Sequence, residues 1–288
     1  MRTLIAIACL AALGGCAIVV APGADGGDYT VRTPFNSNTV DGDGIAAREQ
    51  RTIGTVNGLD VNGSFVVDVR VGPATSLVVE ADSNLLPLIR TDVRGDTLNI
   101  YTDRSYRSRN PVHVIYTVPR LTDLRQNGSG RVAVQDLGGA PLTLRRNGSG
   151  AVSLSGQVAS LDVESNGSGS LDANRLQSAS ARLSLTGSGR LEVGQVHGDY
   201  AIVNLNGSGQ LHVSGTVRSL TARANGSGQL DLARLTSDQA DLSSNGSGGI
   251  TANVRQSLIA QNGGSGGIRV YGNPGQRSVS GNHVQMVN

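Results

Sequence analysis

Four residues able to move protons or hold a cation recur at nearly equal steps. Asp172, Glu192, His212 and Asp231 are separated by 20, 20 and 19 residues. Carboxylate and imidazole are the groups of general acid–base chemistry, and carboxylate oxygens are the usual ligands of Ca²⁺. If the chain returns to the same place once per step, the four stack at intervals of about 5 Å. Adjacent carboxylates repel unless something neutralises them. Oxygens from Asp172 and Glu192 could then hold Ca²⁺, with Arg190 two residues from Glu192. Polysaccharide lyases on parallel β-helices combine carboxylate-bound calcium with a basic residue, so a calcium-dependent, lyase-like enzyme is one reading of the column. The competing reading is a solvated face in which His212 screens Glu192 and Asp231. It is favoured because the column lacks aromatic platforms for sugar stacking. On that reading the chain has no catalytic residue, no metal site and no cofactor.

Other chemical candidates are weaker. His113, His197 and His283 show no metal-ligand spacing. Gly263-Gly264-Ser265-Gly266-Gly267 matches G-x-S-x-G but lacks the strand-to-helix context of a nucleophile elbow. Asn-Gly-Ser fits the N-glycosylation pattern, yet a structural repeat explains it without a glycan. Tyr101, Tyr106 and Tyr116 lie near TDRSYRSRN, a basic polar loop that could meet an anionic polymer. All 24 basic residues are Arg, the net charge is +2, and there is no basic block with interleaved aromatics. A nucleic-acid partner is therefore not expected.

The elements that would position the column are visible in the spacing. NGSG starts at Asn127, Asn147, Asn166, Asn206, Asn225 and Asn245, with TGSG at Thr186 and a stretched NGGSG at Asn262. Counted from the last Gly of each, the second residue on is Val132, Val152, Leu171, Leu191, Leu211, Leu230, Ile250 or Ile268. The fourth is Val134, Leu154, Ala173, Val193, Val213, Leu232, Ala252 or Val270. The residue between them is mostly polar and includes the column above. Alternation of period two puts the apolar pairs inside and the column outside. A second inward pair precedes each corner, as in Leu142 with Leu144 and Ala201 with Val203, and a mid-coil point falls at residues such as Leu176 and Val196. One coil cannot bury such a face alone, so the repeat predicts a stack: an all-β, right-handed parallel β-helix or β-solenoid with coils of about 20 residues. NGSG is then a corner, where Gly supplies unusual backbone angles and stacked Asn side chains form an amide ladder.

Upstream, SFVVDVRVG, SLVVEAD, DTLNIYTD and PVHVIYTVP read as short strands, while Pro87 argues against a helix in NLLPLIRTDV. The N-terminus begins with one Arg and an apolar run, Leu4 to Leu13, too short to span a bilayer. Leu13-Gly14-Gly15-Cys16 resembles a bacterial lipobox, which implies cleavage before Cys16 and its lipidation. The expected organisation is a signal peptide over 1–15, the lipidated Cys and a flexible tether over 16–50, a β-rich part over 51–126 and the repeat solenoid over 127–288. A tether of that length reaches roughly 30–35 Å. Cys9 is removed and Cys16 consumed, so no disulfide or thiol nucleophile remains.

The lipobox, LDVNGSFVVDVRVG, VIYTVPRLTDLRQNGSG and the GSG-punctuated coils together resemble the head-GIN-domain family of "putative auto-transporter adhesins". The resemblance covers about residues 55–288. It implies a β-helical fold, an envelope location and adhesion, and brings no catalytic residues. Coils run almost to Asn288, and both Phe residues lie before residue 70. Barrel strands with aromatic girdles are therefore not expected, and the lipid takes their place as anchor. The expectation is a lipid-anchored, non-enzymatic adhesion or protein-interaction module at the outer membrane. Ala17 after the lipidated Cys favours that membrane by the lipoprotein sorting pattern. Its partners would be the membrane, through lipid, and an envelope or surface protein or glycan. A structural spacer of the envelope is the third reading.

Overall fold

The structure, a computed structural model, describes two short strands at Val19–Pro22 and Tyr29–Arg32 and then residues 39–287. Residues 1–15 and Cys16 lie outside the described residues. The body is nearly all strand, wound into a parallel β-solenoid of about 8 turns. Strands that run into a corner, such as Leu142–Gly148, Leu161–Gly167 and Ala181–Gly187, stack as one sheet; strands that leave it, such as Ala151–Val158 and Ser170–Ser178, stack as another. From Arg190 onward the strand leaving one corner runs on through the mid-coil into the strand entering the next, in Arg190–Gly207, Gln210–Gly226, Gln229–Gly246 and Gly249–Asn262.

The first apolar column pairs position for position, Val152 with Leu171, Leu191, Leu211, Leu230, Ile250 and Ile268 in turn. Every member of both columns is at most 2% exposed. The pre-corner pairs and the mid-coil residues are buried as well. At about 1.5–3 kcal/mol per buried aliphatic side chain, the axial core is what holds coil to coil.

A third inward column went unseen in the sequence. The residue just before each corner, Gln126, Arg146, Ser165, Leu185, Leu205, Ala224, Ser244 and Asn262, is also buried. Five of these eight are polar, so no apolar periodicity marks them. Arg146 is 1% exposed. Its guanidinium donates to the Gly150 and Gly169 carbonyls at 3.0 and 3.1 Å and to Ser165 Oγ, while Nε has no partner. No carboxylate pairs with it among the described residues, and burial pulls its pKa down from the usual arginine value. Charge buried without a counter-ion costs more than apolar packing of the same volume. Both carbonyls also accept backbone donors, from Ser170 and Arg190. Arg146→Leu combined with Ser165→Ala, which continues the Leu185 and Leu205 chemistry upward, is therefore expected to stabilise the protein by about 1–4 kcal/mol. A melting curve shifted downward would contradict this.

The upstream part does not simply add coils in order. Gly58–Asn62 lies between Asp123–Gly128 on one side and Thr97–Thr102 on the other. Val66–Val71 likewise lies between Arg131–Gly138 and His113–Val118. The chain thus leaves the coil at 58–71, builds the coil above it and returns below. Antiparallel strands close the top: Ser76–Asp82 on His113–Val118, Ala46–Arg51 on Ser76–Asp82, and Ile89–Arg94 on Thr97–Thr102. Such closure leaves short, charged strands, Ala46–Arg51 and Ile89–Arg94, at the edges in place of an apolar coil, which discourages aggregation. Pro87 sits in a single 3₁₀ turn, Leu86–Leu88.

Two expectations about organisation are corrected. The folded body begins before residue 51, since Ala46–Arg51 belongs to the cap and Val40–Asp41 pairs with Tyr106–Arg107. A flexible tether over the whole of 16–50 is therefore excluded. The cause is distant pairing, which gives GIAAREQR, a polar segment, a place beside the apolar strand SLVVEAD. Asn262 also differs, as described below.

Candidate functional site

The outward column lies on the face formed by the strands leaving the corners. Asp172 pairs with Glu192, Glu192 with His212, and His212 with Asp231. Each follows a buried aliphatic residue and precedes another, so alternation alone turns it outward. Asp172 is exposed and the other three are half-buried. Their polar atoms are largely engaged with neighbours. Asn174 donates its backbone N–H to Asp172 Oδ1 at 3.0 Å and its Nδ2 to Glu192 Oε2 at 2.7 Å. His212 Nδ1 lies 3.2 Å from Asp231 Oδ2, whose Oδ1 accepts from the Ala233 N–H. Arg234 joins Asn174, Glu192, His212, Ser214 and Asp231 around a shallow depression of about 430 Å³.

The structure thus brings the four together in one row, but as a chain of mixed-charge contacts. An amide bridges Asp172 to Glu192, an imidazole stands between Glu192 and Asp231, and a guanidinium sits at the rim. Among the described residues no group of three or more His, Cys, Asp or Glu is arranged to hold a metal ion. Arg190 pairs with Ser170 and Gln210 in the neighbouring outward row. What the row offers is a rigid strip of donors and acceptors at coil spacing.

The corners form a second strip. Asn127, Asn147 and Asn166 each donate Nδ2 to the Oδ1 of the Asn one coil earlier, at 2.8, 3.0 and 3.1 Å. Asn225 and Asn245 continue the same way at 3.0 and 3.5 Å, starting from Asn206. Thr186 stands between Asn166 and Asn206 and divides the ladder. The ladder starts one coil earlier than expected, at Asn62, whose Nδ2 donates to Asp60. The signal was present in LDVNGSF, where Phe65 replaces the last Gly and disguises the corner. Asn262 is not a rung. It pairs with Ser244, points inward at 6% exposure and donates to the Gly266 and Asn282 carbonyls. Gly263 takes the corner position against Asn245. A corner of Gly263-Gly264-Ser265-Gly266 is thus of ordinary length, and nothing is inserted. Ser265 is an exposed corner serine at 3.4 Å from Ser247 Oγ.

The three tyrosines do not form one site. Tyr116 is buried in the core, where loss of solvent pushes its phenol up to about 12. Tyr106 packs at the core's edge, and Tyr101 donates to Asp92 at 2.6 Å. His113 is held between Asp68, 2.7 Å from Nε2, and Glu80, 3.3 Å from Nδ1. Nothing in the spacing pointed to that cluster, because its three strands meet only through the cap.

With this geometry in hand, comparison with known proteins is informative. The model of a family described as "Putative auto-transporter adhesin, head GIN domain" matches residues 56–197 and again 171–274. The overlap follows from a repeat that resembles itself one or more coils along. None of the curated proteins matches. Three solved structures share the fold over 87% of this chain. One is described as a putative adhesin from Parabacteroides distasonis, with 20% identity and a TM-score of 0.67 over 100% of its length. Another, a putative adhesin from Parabacteroides merdae, has 17% identity and a TM-score of 0.64 over 99% of its length. A third, also from Parabacteroides distasonis, is described as a putative lipid binding protein, with 23% identity and a TM-score of 0.65 over 100% of its length.

Proposed function

We infer the role of this protein from the premise that the chain belongs to the family described as "Putative auto-transporter adhesin, head GIN domain". The family description and the solenoid fit a non-enzymatic adhesion role, and an adhesin-like family suggests the cell surface or envelope. The finer reading is a head held at the outer membrane by lipid on Cys16 and binding an envelope or surface protein or glycan. The observation that carries it is the ruled exterior. Polar side chains repeat at coil spacing and are braced by one another, as in the Asn ladder and the Asn174–Glu192 contact. A surface that is already ordered loses little side-chain entropy when a partner docks. The lipobox-like Leu13-Gly14-Gly15-Cys16 supports the anchor, and acylation at more than one position would make attachment stable.

The test uses the full chain expressed with its own N-terminus. Labelled fatty acid is expected on the wild type and absent from Cys16→Ser. Vesicles of phosphatidylethanolamine and phosphatidylglycerol carrying the lipidated protein should be retained on bacterial envelope preparations above bare vesicles, saturably, with the envelope polysaccharide recovered at its original length. Retention no better than that of bare vesicles would sink the adhesion reading. Shortening of the polysaccharide that disappears in Glu192→Ala would replace it with an enzyme.

A further inference from the structure

At the capped end a depression of about 550 Å³ opens where residues 103–111 cross the first corner. Ser64, Phe65, Thr102, Ser105, Tyr106 and Arg107 line it. Both walls are braced. Phe65 is fully buried beneath the corner, and Tyr106 packs against the core. The Ser105 and Arg107 carbonyls accept from Val40 and Gly42 at 2.9 and 2.8 Å. Asp82, 1% exposed, accepts from Ser108 Oγ at 2.5 Å and from Asn110 Nδ2 at 2.6 Å, and so ties the crossing segment to the cap.

The charge on this segment is not internally balanced. Residues 103–111 carry three arginines against one carboxylate, Asp103, which Arg90 pairs at 2.6 Å. Asp43 and Asp82 nearby accept from neutral donors, which leave their charge uncancelled, Ser83 for the one and Ser108 and Asn110 for the other. The guanidinium groups of Arg104, Arg107 and Arg109 have no ion pair or hydrogen-bond partner among the described residues. Asp41 is the register partner of Arg107, yet the two make no salt bridge. Arg48, Arg70, Arg125, Arg145 and Arg218 pair with carboxylates, whereas others, such as Arg182 and Arg223, stand unpaired like these; what sets Arg107 apart is that it also lines a hollow. Arg107 lines this braced hollow beside serines and a threonine, and a guanidinium can take a carboxylate or phosphate through two parallel hydrogen bonds. Hydroxyls from Ser64, Thr102 and Ser105 suit the hydroxyls of a sugar, and the Tyr106 ring suits its apolar face.

We propose that this hollow is a binding site for an anionic saccharide unit, a sugar carrying a carboxylate or a phosphate, with Arg107 as its charge-recognising residue. The proposal rests on the adhesion reading in that it supplies the glycan end of the contact. Arg104 and Arg109 add positive charge on the same exposed segment. Binding therefore weakens with added salt.

The test is calorimetric titration of the lipidated chain in detergent with three probes: trigalacturonate, glucose 6-phosphate and neutral maltotriose. One of the anionic probes is expected to bind, and the responsive one identifies the anion as carboxylate or phosphate. Arg107→Gln should weaken it at least about tenfold, with the melting temperature unchanged. Arg223→Gln, an exposed arginine on a distant coil, should leave affinity as it was. The proposal is overturned if neither anionic probe binds at millimolar concentration, if maltotriose binds as well, or if Arg223→Gln weakens binding as much as Arg107→Gln. The titration is independent of vesicle retention. Silent probes overturn this site even where vesicles are retained, and a binding site on a head that fails retention stands while the adhesion reading falls.

Discussion

Leu191→Asp is expected to abolish the cooperative unfolding transition, while Glu192→Gln, the next residue, leaves the melting temperature essentially unchanged. Leu191 is fully buried and stacks between Leu171 and Leu211. Asp there gives up the contacts of a buried Leu, worth about 2–5 kcal/mol when truncated. It also places a carboxylate among aliphatic side chains, at a further cost of several kcal/mol. A domain has only about 5–15 kcal/mol to lose. The damage is not local, because each coil contacts only its neighbours and a broken coil divides the stack. Glu192 is turned to solvent, and Gln keeps the acceptor that Asn174 uses at 2.7 Å. Far-UV circular dichroism on heating reads both. Equal losses at 191 and 192 would sink the assignment of inside and outside.

Gly207→Ala is the second large effect. Gly207 has φ +123°, in the region L side chains avoid, and a Cβ built there would lie 2.5 Å from the Gly187 carbonyl oxygen. Positive φ costs about 1–2 kcal/mol for a residue with a Cβ. Pushing one backbone off another costs about 1–3 kcal/mol more. The expected loss is therefore about 2–5 kcal/mol, or roughly 5–15 °C in melting temperature. Gly138→Ala is the control: nothing lies within 4 Å of its Cβ, and its φ is not in the positive range. It should be neutral or slightly stabilising, since Ala restricts the unfolded chain. A Gly207→Ala protein that melts with the wild type would mean that the coils do not approach as closely as the amide ladder requires.

The same corner shows how much was legible beforehand. Gly at fixed steps, with Asn before it, identified the turn and the ladder, because the turn depends on residues within a few positions and the ladder on their return at the coil period. The column of Asp172, Glu192, His212 and Asp231 was legible for the same reason: alternation places it outward whatever the rest of the chain does. The contacts that define its chemistry were not. That Asn174 reaches across to Glu192 depends on coil register and side-chain length, which spacing does not report.

By itself, then, the sequence determined the coil period, the two apolar columns and the outward row, since these follow from local alternation repeated along one axis. Tertiary structure alone decided the rest. Gln126, Arg146 and Ser165 face inward because the path into each corner turns them there, against their polarity. Asn262 falls inside because the last full coil pairs it with Ser244 and leaves the corner to Gly263. The cap draws in residues 40–51, sets His113 between Asp68 and Glu80, and carries Arg107 over the first corner, because the chain doubles back above its own coil. Contacts between residues so far apart are set by where the backbone returns, and that return leaves no periodic mark in the residues it joins.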